Sequence, residues 1–95
     1  PALYDYLGAE FGTVSEEGAE ELGIKGGVQV VRLRDGALQE QTRIREGFVI
    51  TKIDDKLIKD TRDLEEAIAK VDGDAVMIEG RYPGNDKIYR YGLGM

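Results

Sequence analysis

Tyr6-Leu7-Gly8-Ala9 is the stretch whose residue types suit a definite chemistry, the capture of an anion by backbone N–H groups. Gly8, set between apolar neighbours, tolerates the φ values that let successive N–H groups converge on one point. For a small domain a common anion of this kind is a peptide's C-terminal carboxylate. The pattern therefore points to a peptide-binding module rather than an enzyme. A plain turn glycine at Gly8 is the alternative. Side chains suited to catalysis are scarce. The chain has no His and no Cys, and Ser15 is its only serine, so no Ser-His-Asp or Cys-His arrangement can be assembled from it alone. The carboxylate pairs Glu16-Glu17, Glu20-Glu21, Asp54-Asp55 and Asp72-Gly73-Asp74 read as solvated charge in turns or on polar helix faces. The last of these lacks the downstream bidentate Glu of a calcium loop, and neither a metal nor a cofactor is expected.

Composition narrows the partners. With 19 acidic against 13 basic side chains the net charge is −6, which disfavours nucleic acid and anionic membrane surfaces alike. No apolar run approaches the roughly 18 residues of a membrane helix, so no membrane insertion is expected. The 95 residues suit one domain, 1–95. No leader peptide is expected within the chain. Pro1-Ala2 reads as a boundary inside a longer parent polypeptide.

The elements that must position the Tyr6–Ala9 stretch follow from local patterning. Ala9 to Val14 alternates as a short strand. Ser15 caps a helix over Glu16–Leu22, closed by Gly23. Gly26-Gly27 turns into a strand from Val28 to Leu33, with Val28, Val30 and Leu33 toward a core. Ala37–Thr42 suits one helical turn, and Phe48–Ile53 is the most apolar strand and hence the central one. Asp54-Asp55 turns the chain into Lys56-Leu57-Ile58. The clearest helix runs over Thr61–Val71, capped by Asp60 or Thr61, with Leu64, Ala67, Ile68 and Val71 as its apolar stripe. Strands over Ala75–Gly80 and Lys87–Tyr91 flank a Pro83-Gly84-Asn85-Asp86 turn. The expectation is an α+β, mainly β fold, a small partly open barrel or sandwich of five to six strands capped by two to three helices.

The run Gly27-Val28-Gln29-Val30, then Ile44-Arg45-Glu46-Gly47-Phe48-Val49-Ile50-Thr51-Lys52-Ile53-Asp54-Asp55-Lys56-Leu57-Ile58, then Asp63-Leu64-Glu65-Glu66-Ala67-Ile68 resembles a bacterial PDZ domain. The likeness covers nearly the whole chain. It is strongest to the second, C-terminal PDZ domain of the HtrA (Deg) family of envelope serine proteases. Phe48 stands where that family usually carries Asp, and Asp54-Asp55 replaces its usual Asn-Gly.

The resemblance implies a periplasmic, non-catalytic module of a serine endopeptidase acting in protein quality control. It implies that peptide C-termini or unfolded segments add as an antiparallel strand along Ala9–Val14, beside the helix Thr61–Val71. Tyr6, Leu7, Gly8 and Ala9 would hold the carboxylate, with Glu10 and Phe11 continuing the strand. Leu7, Ala9 and Phe11 would line the terminal pocket, Ile68 would close it, and Thr61 would bond a ligand side chain. Glu65 would favour a basic ligand residue. Ordinary core packing for Leu7 and Phe11, and a solvated helix acid at Glu65, are the alternatives. The implied second role is structural, a module docking on its own protease domain or on a neighbouring protomer to set oligomer size.

Overall fold

One antiparallel sheet carries the chain. The computed structural model describes residues 2–95. Pro1, half of the boundary read from the sequence, lies outside the described residues. The strands are β1 (Ala9–Thr13), β2 (Val28–Leu33), β3 (Val49–Ile53), β4 (Lys56–Leu57), β5 (Ala75–Arg81) and β6 (Tyr89–Gly94). Their order is β1-β2-β3-β5-β6, with β4 paired to β3, so β1 and β6 form the two edges. Four helices accompany them: α1 (Ala2–Leu7), α2 (Glu16–Leu22), α3 (Ala37–Gln41) and α4 (Thr61–Ala69). The α+β, mainly β class is the one adopted, as a single open sheet. Among the described residues no helix is long and apolar enough to cross a membrane.

Local chemistry fixes the helix ends. Ser15 Oγ accepts the Gly18 N–H at 3.0 Å, and Gly23 closes α2 in the left-handed region at φ 69°. Asp60 Oδ1 accepts the Asp63 N–H at 2.8 Å, while Asp63 accepts from the Lys59 N–H at 2.9 Å. These two bonds seal the start of α4. That helix stops at Ala69 rather than Val71, because the Val71 N–H turns tightly back to the Ile68 carbonyl at 3.2 Å. Val71 still packs against the core. β6 begins at Tyr89 rather than Lys87, whose N–H is held by the Asn85 side chain at 2.9 Å in the preceding turn.

The core sits on one face of the sheet. Val28 and Val30 of β2, Ile50 and Ile53 of β3, Ile78 of β5 and Leu93 of β6 meet Leu64, Ala67 and Ile68 of α4 and Leu38 of α3. Phe48, just before β3, is wholly buried at 0 % exposure. A bulge in β2 explains how Leu33 reaches this core. Glu10 pairs Arg32 and Phe11 pairs Val30, so Val31 is an extra residue, and it is 55 % exposed. The insertion shifts the inward set from even to odd numbers, from Val28 and Val30 to Leu33.

Tyr6 and Leu7 end the helix α1 instead of forming an open loop. Leu3 and Leu7, spaced i, i+4, face the core together, and that burial stabilises a helix too short to persist alone. Gly8 follows at φ 71° and turns the chain into β1.

Candidate functional site

The edge of β1 presents backbone groups that its neighbour β2 does not use. The Arg34 N–H donates to the Gly8 carbonyl and the Val14 N–H to the Gly27 carbonyl, at 2.8 and 2.9 Å. With the register Ala9↔Leu33, Phe11↔Val30 and Thr13↔Val28, those bonds make these three pairs the non-hydrogen-bonded ones. The N–H and C=O groups of Ala9, Phe11 and Thr13 therefore point away from β2. No other strand covers this edge among the described residues, and of the three Phe11 and Thr13 reach solvent while Ala9 is buried.

α4 runs beside that edge. The Thr61 N–H, in its first turn, donates to Thr13 Oγ1 at 3.2 Å. Further along, Tyr4 of α1 bridges the two elements. Its ring lies 5.1 Å from the Phe11 ring, tilted by 56°, and its hydroxyl donates to Glu65 Oε2 at 2.9 Å. One tyrosine thus spans the strip between β1 and α4. Burial, then the hydrogen bond to Glu65, then the Glu65 charge push the Tyr4 phenol up from its ordinary 10 to about 12.

The sign of this shift fixes a pH dependence. Above pH 10 the unfolded chain releases the Tyr4 proton before the folded one does, so the unfolded state holds fewer protons. The stability contributed by neutral Tyr4 is present below pH 10 and is lost as pH rises through about 12. Tyr4→Phe should lower stability by about 1 kcal/mol at neutral pH. It should also flatten the alkaline fall in urea midpoint relative to the parent. An unchanged midpoint at both pH values would show that the Tyr4–Glu65 bond carries no stability.

The structure brings only some of the residues expected at the site together. Ala9, Phe11, Thr61 and Glu65 come together around Tyr4 and the β1 edge, with Ile68 buried beneath them on α4. Leu7 and Ala9 are core residues, the latter at 0 % exposure, so the floor of this strip is continuous with the hydrophobic core. Gly8 places its N–H on the Tyr4 carbonyl at 2.8 Å, which occupies the centre of the expected anion nest. Its role here is that of a tight helix-to-strand turn. Two residues lie elsewhere. Tyr6, about 200° around the helix from Tyr4, points to the far side, where its hydroxyl donates to the Gly94 carbonyl at 2.6 Å. Glu10 faces out and pairs with Arg32 and Arg34 at 3.9 and 3.8 Å.

Tyr4 itself was missed by sequence reasoning. Its signal was present in the helical spacing of Leu3, Tyr4 and Leu7 just ahead of Gly8. No family model matches the chain, and no curated protein matches it.

Proposed function

We propose that this domain is a PDZ-type peptide-binding module of an HtrA-like envelope serine protease, working in the periplasm. It receives hydrophobic extended or C-terminal segments of substrates by strand addition along β1. The observation that carries this reading is the outward N–H and C=O groups of Phe11 and Thr13 beside α4. Backbone pairing supplies affinity there, and Phe11, Ile68 and Glu65 supply selection. Weak binding suffices, because tethering to a protease raises the effective concentration of the captured chain. The domain contributes no catalytic group of its own to this task.

A second reading, docking between protomers of the protease, draws on a separate observation. Tyr4 already spans the strip, and the Gly8 N–H is already bonded. A free peptide would have to displace the first and forgo the second.

Titration with one hydrophobic-ended peptide, as free acid and as C-terminal amide, separates these readings by amide NMR shifts. Receptor function predicts shifts centred on Leu7–Phe11 and Ile68. Their disappearance with the amide would assign carboxylate capture, and their persistence would assign recognition of internal segments. No shift with either form at millimolar peptide would overturn the receptor reading in favour of protomer docking.

A further inference from the structure

The opposite end of the sheet carries a second constellation, independent of β1. A depression of about 420 Å³ is lined by Arg43, Arg45, Tyr82, Tyr89 and Tyr91. The Tyr82 and Tyr89 rings meet edge to face at 5.4 Å, and Tyr89 lies parallel to Tyr91 at 6.3 Å. Phe48 braces Tyr82 and Tyr91 from the core side, with centroids at 5.1 and 5.7 Å. The rings are therefore held in place before any partner arrives. Cations rim them. The Arg45 guanidinium lies 5.2 Å from the Tyr82 centroid, and Lys87 Nζ lies 5.1 Å from that of Tyr89. The Arg45 backbone N–H also donates to the Tyr82 hydroxyl at 3.0 Å.

The arginines divide into paired and unpaired ones. Arg32, Arg34, Arg62, Arg81 and Arg90 are each paired with a carboxylate. Among the described residues Arg43 and Arg45 are the two of the seven arginines that make no ion pair, and like the other lysines Lys87 makes none either. Two unpaired arginines beside a braced aromatic floor match the composition of protein interfaces, in which Tyr and Arg are enriched.

The geometry points to a docking surface for an acidic polypeptide segment of a partner protein. Its carboxylates would pair with Arg43 and Arg45, whose planar guanidinium groups suit bidentate acceptance. An apolar side chain between those carboxylates would lie on the Tyr89 and Tyr91 rings. A nucleic acid would meet the same arginines, but the net charge of −6 opposes a long polyanion. A short acidic segment feels mainly the local field, because charges beyond about 8 Å are screened at physiological salt.

The test uses an alternating glutamate–leucine peptide, acetylated and amidated so that it offers no terminal carboxylate, beside its glutamine–leucine counterpart. Amide shifts of dilute protein should centre on Arg43, Arg45, Tyr82, Tyr89 and Tyr91 with the glutamate peptide. Binding should weaken about tenfold or more with the glutamine peptide, with R43E/R45E, and at high salt. Both arginine side chains are exposed and unpaired, so the variant should keep its spectral dispersion, and Arg43→Gln/Arg45→Gln provides a milder form. Equal affinity for the two peptides would overturn the proposal, as would indifference to either double variant. The same shifts from inorganic phosphate, or from concentrating the protein alone, would also overturn it, the first marking a simple anion site and the second a contact between copies. Shifts confined to β1 and α4 would assign the peptide to the other edge.

Discussion

Replacing Phe48 with alanine should lower the unfolding free energy by about 4 kcal/mol, read as a shift in urea midpoint at constant slope. The ring is wholly buried and heads the fully buried side chains in size. Its neighbours cannot readily close the hole. Tyr82 and Tyr91 meet it edge-on, and Gly80 leaves room for it, since a Cβ there would fall 2.7 Å from Phe48 Cζ and against the Val49 carbonyl oxygen. For a domain whose total stability is of order 5–15 kcal/mol, such a loss moves the chain toward the unfolded state at moderate temperature. A buried aspartate in its place, between the Tyr82 and Tyr91 rings, would lack partners. A cost under about 1.5 kcal/mol would mean that the tyrosines collapse into the cavity, and the rigid aromatic floor would then be wrong.

Gly8→Ala should cost roughly 3 kcal/mol, whereas Gly23→Ala should cost about 1 kcal/mol. The two positions share nearly the same left-handed backbone, φ 71° and 69°. They differ in what a side chain would meet. At Gly23 nothing lies within 4 Å, so only the conformational penalty applies. At Gly8 a Cβ would strike the Asp35 carbonyl and come 2.7 Å from Gly36 Cα, both backbone atoms that cannot swing aside. Thermal denaturation of the two variants isolates this crowding from φ strain. Equal losses would show that the helix-to-strand junction is slack. Because Gly8 sets the angle between α1 and β1, the alanine variant should also weaken the Tyr4–Glu65 bond, visible as a lowered phenol pKa for Tyr4.

Much of this architecture was legible in local chemistry. Ser15 and Gly23 bound α2, Asp60 starts α4, and Phe48–Ile53 supplies the central strand, because each signal is complete within a few residues. What escaped reading depends on distant partners. α1 is only six residues long and holds its shape through the burial of Leu7, so a glycine between apolar residues looked like a loop. The Tyr4–Glu65 bond joins residues 61 positions apart, and the Arg45–Tyr82 bond joins residues 37 apart. No spacing rule connects such pairs. The bulge at Val31 is similarly a property of the pairing with β1, although the hydrophobicity of Leu33 pointed to its result. The alternation of Tyr89 and Tyr91 was the one visible sign of the aromatic face, since period-two spacing on a strand puts both rings on one side.

Strand addition at β1 is the central claim, and amide hydrogen exchange along β1, with and without a hydrophobic-ended peptide, tests it most directly. The ladder bonds of Glu10 and Gly12 to β2 should protect those amides in both states. The outward amides of Phe11 and Thr13 should exchange rapidly in the free domain and slow at least about tenfold when the peptide is bound. Exchange at Phe11 and Thr13 that stays unchanged under excess peptide would contradict strand addition at this edge.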